Sequence, residues 1–202
     1  MNFPKTAGQC KYMIALRSSR PIVIGTGPAG SGKTMLACQI ATEHISKHPR
    51  ARVVLTRPIV AADEDMGYLP GDMDQKMEPW TRPMYDIFEQ SMTHNQMDRC
   101  ISIEPLGYMR GRTFHHTLII ADEMQNSTPN QMKLLLTRIG EGTKIIVTGD
   151  LEQSDLGGDN GLENLVYKMQ CMELDYIQHV EMGDDDIVRH PAVKEVLGII
   201  SK

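Results

Sequence analysis

The chain has 202 residues, enough for one sizeable hydrophobic core and too few for two large domains side by side. Apolar residues make up 41% and charged residues 23%, a globular composition that excludes an intrinsically disordered chain. The formal net charge of -5 offers no bulk attraction to nucleic acid or to an anionic membrane, so either partner would need a locally basic face.

The first residues, Met1 to Thr6, contain no apolar leader-like run, and no later stretch approaches the roughly 18 apolar residues of a membrane span. The cysteines Cys10, Cys38, Cys100 and Cys171 lie far apart and form no C-x-x-C pair. Reduced thiols in a cytoplasmic protein are therefore expected, with neither zinc nor a disulfide framework.

Short apolar runs alternate with helical segments, which predicts an α/β fold with a mainly parallel central sheet flanked by helices. The first run, 22–26, leads into Gly27-Pro28-Ala29-Gly30-Ser31-Gly32-Lys33-Thr34, which opens an amphipathic helix. A second run covers 52–56. Residues 57–74 hold prolines, glycines and the acidic Asp63-Glu64-Asp65, and read as a mobile functional loop. A helix over about 75–92 should be broken or kinked by Pro79 and Pro83. Runs at 101–104 and 117–121 follow. Thr128-Pro129-Asn130-Gln131 is a capping box that starts a helix reaching about Arg138. The last runs are 144–148 and an edge strand at 176–180, before a closing helix over 192–200.

Gly27 to Thr34 matches G-x-x-x-x-G-K-[ST] between a strand and a helix, the place where that pattern cradles phosphate. The loop Gly27, Pro28, Ala29, Gly30, Ser31 and Gly32 wraps around the phosphates so that its backbone N–H groups, which every residue but Pro28 carries, point at phosphate oxygens, and the helix N-terminus adds its positive dipole end. Lys33 should reach the β- and γ-phosphates and Thr34 should bind Mg²⁺, which makes ATP and Mg²⁺ the expected cofactors.

The run 117–121 ends in Asp122-Glu123. Asp122 should complete the Mg²⁺ shell while Glu123 acts as general base on water. The run 144–148 ends in Gly149-Asp150-Leu151-Glu152-Gln153, where Gln153 is placed to sense the γ-phosphate or orient the attacking water. Charge builds up on the γ-phosphoryl group during hydrolysis, so an arginine supplied in cis or in trans is expected from Arg110, Arg112, Arg138 or Arg189. A small-molecule kinase also uses a phosphate loop, but Glu123 and Gln153 suit water better than a substrate hydroxyl. A binding switch, in which ATP orders the 57–74 loop for a protein partner, is a third reading.

These motifs occur with Leu55-Thr56-Arg57-Pro58, Gly67-Tyr68-Leu69-Pro70-Gly71-Asp72, Tyr108-Met109-Arg110-Gly111-Arg112-Thr113, Asp122-Glu123-Met124-Gln125-Asn126 and Val188-Arg189-His190-Pro191. In that order they closely resemble the PhoH-like ATPase family over nearly the whole chain, with Met124 where alanine is common. The resemblance implies a single RecA-like domain over 1–202, ATP as cofactor, and kinship with the nucleotide-binding half of superfamily-one helicases. By that kinship Gln9 resembles a glutamine that reads adenine, and Gln153 a γ-phosphate sensor. Arg110 and Arg189 are the favoured arginines. A homo-oligomer, in ring form by analogy, is expected to supply the second moving unit, with single-stranded nucleic acid as a candidate target. Lys5, Lys11, Arg17 and Arg20 are the local basic cluster in its support.

Overall fold

The computed structural model describes residues 4–48, 50–58, 73–156 and 159–189, with 192, 193, 196 and 199; over 73–80 the backbone alone is described. The elements are α1 (Ala7–Arg17), β1 (Ile22–Thr26), α2 (Lys33–Lys47), β2 (Arg52–Thr56), α3 (Met73–Phe88), α4 (His94–Cys100) and β3 (Ile101–Ile103). They continue with β4 (Thr117–Ala121), α5 (Pro129–Leu136), β5 (Lys144–Gly149), α6 (Gly161–Met169) and β6 (Ile177–Glu181), and with short 3₁₀ turns at Leu106–Met109, Met124–Asn126 and Asp184–Asp186.

The strands form one six-stranded sheet in the order β3-β2-β4-β5-β1-β6, and each pairing is parallel. Successive side chains in a strand point to opposite faces, so a sheet covered on both sides needs apolar residues at consecutive positions. Val23, Leu55, Ile120 and Ile146 pack on one face with Leu36 and Ala37 of α2, Met84 and Phe88 of α3 and Tyr12 of α1. Ile24, Val54, Ile119 and Val147 pack on the other face with Leu135 of α5 and with Leu162 and Val166 of α6. Each fully buried aliphatic side chain of this kind contributes about 1.5–3 kcal/mol. Gly25 is required by close packing, because a Cβ there would lie 2.5 Å from the Tyr12 ring.

Several boundaries differ from the sequence expectation. The helix expected to break at its prolines runs unbroken from Met73 to Phe88. Its C-terminal turns are held by Met84 and Phe88, both essentially inaccessible, and that packing outweighs the backbone donors the prolines remove. A separate short helix, α4, follows from Thr93, whose N–H donates 2.9 Å to Gln96 Oε1. β3 stops at Ile103, α5 stops at Leu136, and β5 extends to Gly149. β6 is the expected edge strand, one residue later than read. The acidic loop segment 59–72 lies outside the described residues, as does most of the closing helix.

Among the described residues, no helix is long and apolar enough to cross a membrane. The basic cluster near the N-terminus is partly committed to the protein itself. Arg17 pairs with Glu43 at 2.7 Å, and Arg20 donates to the carbonyls of Leu174 and Ile177.

Candidate nucleotide site

In a parallel sheet the loops beyond the carboxyl ends of the strands form the ligand-binding crest. Here those ends carry the phosphate-binding pattern after β1, Arg57 after β2, Asp122-Glu123 after β4 and Asp150 after β5. They surround a cleft of about 350 Å³, closed on one side by Pro83, Met84 and Ile87 of α3.

The glycines of the loop have the backbone that phosphate binding needs. Gly27, Gly30 and Gly32 have φ of 138°, 86° and 87°, a region closed to most side chains. In α1 and α5 a side chain caps the first turn: Thr6 accepts from Gln9 N, and Thr128 from Gln131 N. α2 starts at Gly32 with no side-chain cap, which leaves its first N–H groups to a ligand in the cleft. Lys33 Nζ donates to the carbonyls of Gly27 at 2.7 Å and Pro28 at 2.9 Å, folding the ammonium over the loop. Burial holds its pKa below the usual lysine range, partly countered by the carboxylates of Asp150, Glu123 and Asp122.

Thr34 Oγ1 donates to Asp122 Oδ1 at 2.8 Å, and the Thr148 hydroxyl donates to the same oxygen. A hydroxyl facing a nearly buried carboxylate is a hard-oxygen pair of the type that Mg²⁺ takes alongside water and phosphate oxygens, so these residues fit the ion. Glu123 has φ 53° and ψ 38°, a left-handed backbone uncommon outside glycine and concentrated at functional sites. Its Oε2 accepts from Gln125 Nε2 at 2.6 Å.

The remaining candidates divide. Gln153 lines the cleft. Arg189 braces the phosphate loop: its Nη2 donates to Ala29 O at 2.6 Å while Val188 N donates to Gly30 O at 3.1 Å. Gln9 is inaccessible, and its Nε2 donates to Ser31 O at 3.0 Å and to Asp186 O at 3.3 Å. Its Oε1 accepts from Lys5 N at 2.8 Å, so both ends of the amide are engaged and tie α1 to the phosphate loop. Arg110 is exposed and does not line the cleft. Arg112 pairs with Glu104 at 2.6 Å and covers Phe114, and Arg138 donates to Arg112 O, so both hold the 104–116 segment together.

Sequence reasoning passed over Arg57, Asp150 and Gln125 as site residues. Arg57 and Asp150 line the cleft, and the available signal was their position just beyond the ends of parallel strands.

The family model described as PhoH-like protein matches residues 3–201. The chain belongs to the PhoH-like family. It is 42% identical over 205 residues to a PhoH-like protein of Bacillus subtilis, covering 98% of this chain and 63% of the relative. Protein PhoH of Escherichia coli is 37% identical over 202 residues, covering 96% of this chain and 56% of its own length. The chain thus spans less than two thirds of these relatives. Among solved structures, this PhoH-like chain is similar to the large terminase of a thermophilic bacteriophage, with a TM-score of 0.57 and 12% identity over 99% of this chain and 51% of the terminase. It is also similar to the Pif1 helicase of Candida albicans, with a TM-score of 0.51 and 15% identity over 99% of this chain and 44% of the helicase. The fold shared with both is a RecA-like P-loop α/β domain.

Proposed function

We propose that residues 1–202 act as one Mg²⁺-dependent ATPase domain. The observation that carries this reading is the convergence of Lys33, Thr34, Asp122 and Glu123 on one cleft at the uncapped start of α2. Backbone N–H groups of 27–34 and the Lys33 ammonium take the phosphates. Thr34 and Asp122 would hold Mg²⁺, whose charge offsets that on the β- and γ-phosphates. Glu123 accepts a proton from water as the water oxygen attacks the γ-phosphorus and the bond from that phosphorus to the β,γ-bridging oxygen breaks, so that ADP leaves with the bonding electrons and inorganic phosphate is formed, while Gln153 orients the water. The presence of Glu123 and Gln153 on the same cleft supports water, not a substrate hydroxyl, as the phosphoryl acceptor.

Coupling to single-stranded RNA or DNA, in a homo-oligomer, is the finer part of the proposal. Helicase-like topology supports it, and Arg110, exposed and outside the cleft, is assigned to act in trans on a neighbouring copy. Arg189 acts in cis through the phosphate loop. The four cysteines are free thiols, which supports a cytoplasmic, reducing setting.

The test is steady-state phosphate release with Mg²⁺ATP, with and without single-stranded RNA or DNA, on protein whose oligomeric mass is read in the same buffer. Turnover that needs Lys33 and Glu123 and rises with nucleic acid in an oligomer is expected. Full turnover by Glu123→Gln would overturn the assignment of the base.

A further inference from the structure

Gln125 lies two residues beyond Glu123, with 3% of its surface accessible, and each end of its side-chain amide is used. Nε2 donates to Glu123 Oε2 at 2.6 Å, while Oε1 accepts the Asp150 N–H at 3.1 Å. The amide therefore bridges the turn after β4 to the loop after β5. Three more bonds run across the same seam: Ser154 Oγ donates to Gln125 O at 3.0 Å, Asp155 N donates to Asn126 Oδ1 at 2.9 Å, and Asn126 Nδ2 donates to Asp155 Oδ2 at 3.0 Å. Gln153 sits within the stretch that these bonds fasten.

We infer that Gln125 is a positioning residue for hydrolysis, setting the orientation of the Glu123 carboxylate and the placement of the Gln153 loop as one unit. The inference rests on Glu123 being the water activator. A glutamate carboxylate at the end of three rotatable bonds has several orientations, and a base works only when its oxygen lies within hydrogen-bond reach of the water it deprotonates. The left-handed backbone at Glu123 directs the side chain but leaves its terminal torsions to be set by a partner. A buried amide with one donor bond and one acceptor bond in fixed directions restricts those torsions. Because its acceptor end grips Asp150 N, a shift of the 150–155 loop on contact with γ-phosphate is transmitted to the base.

Gln125→Glu keeps the acceptor for Asp150 N–H but replaces the donor to Glu123 with a like charge, while Gln125→Met removes both bonds at similar volume. Both are compared with the wild type and with Glu123→Gln for nucleotide affinity, KM and kcat. The expected result is a fall in kcat of about 10- to 100-fold for each Gln125 variant with affinity and KM within about twofold, because a small displacement of a catalytic group costs rate before it costs binding. On the Glu123→Gln background neither variant should lower kcat further, since residues acting as one unit are not additive. Unchanged kcat in the Gln125 variants, losses that multiply with that of Glu123→Gln, or nucleotide affinity falling in step with turnover each overturn the inference. Full turnover by Glu123→Gln alone overturns the reading on which it rests, whereas an essential Glu123 with indifferent Gln125 variants overturns the inference by itself.

Discussion

Thr34 and Asp122, 88 residues apart in the chain, meet through a 2.8 Å hydrogen bond from Thr34 Oγ1 to Asp122 Oδ1. The strands that lead into them, β1 (through the loop into α2) and β4, are not neighbours, since β5 lies between them and sends the Thr148 hydroxyl to the same oxygen. The contact thus joins the first turn of α2 to the crest of the sheet.

If this pair holds Mg²⁺, Thr34→Ala and Asp122→Asn should each lower turnover about 100-fold or more and raise the Mg²⁺ concentration needed for half-maximal rate. Thr34→Ser, which keeps the hydroxyl, should stay within a few-fold of the wild type. Phosphate release measured across a Mg²⁺ titration decides the matter, and an unaltered Mg²⁺ dependence in both damaging variants would remove the pair from the metal site.

Arg189 is placed to shape the phosphate loop through the Ala29 carbonyl. Arg189→Ala should therefore raise KM for ATP by about tenfold with a smaller change in kcat, whereas a residue that stabilises the transition state alone would lower kcat at constant KM. Steady-state kinetics on this one variant separate the two roles.

Gly8 faces the Asp186 carboxylate so closely that any Cβ would overlap it. Gly8→Ala should destabilise the protein by about 1–3 kcal/mol, the usual cost of overpacking, even though alanine is the better helix former. Urea unfolding monitored by circular dichroism measures it. A neutral or stabilising result would mean that the 183–186 turn shifts freely.

Burial raises the pKa of Asp186, but hydrogen bonds from the Thr6 hydroxyl and from the N–H groups of Gly183, Gly8 and Gln9 outweigh burial and hold it below the usual aspartate value. A depressed folded-state value means that the contribution to stability is present above the unfolded pKa, near ~4, and is lost as pH falls through the folded value. The stability gap between wild type and Asp186→Asn should thus be full above about pH 5 and shrink below about pH 4. Unfolding midpoints at a series of pH values test this, and a gap constant with pH would assign the difference to packing.

Much of the frame was legible in the sequence because the strands are buried on both faces. Val53-Val54-Leu55 and Leu118-Ile119-Ile120 are consecutive apolar residues bounded by polar ones, and each became a strand. At α3 packing overrides a local rule: Pro79 and Pro83 argued for a broken or kinked helix, while Met84 and Phe88, both buried, keep it continuous from Met73 to Phe88. α4 shows no helical period in seven residues, and its local signal, the capping pattern Thr93-His94-Asn95-Gln96, was passed over.

The amino-acid sequence by itself marked the Gly27–Thr34 loop as a candidate phosphate site, the Asp122-Glu123 pair at a strand end and the family, because each depends on residues adjacent in the chain whose spacing is their geometry. Tertiary structure alone decided what converges on them. Arg57 and Asp150 reach the cleft only because β2 and β5 end at the same crest as β1 and β4. Gln9 and Arg189, at opposite ends of the sequence, both grip the phosphate loop, and Gln125 spans two strand ends through a buried amide. Contacts between residues so distant in sequence follow from sheet order and packing, which no local pattern encodes.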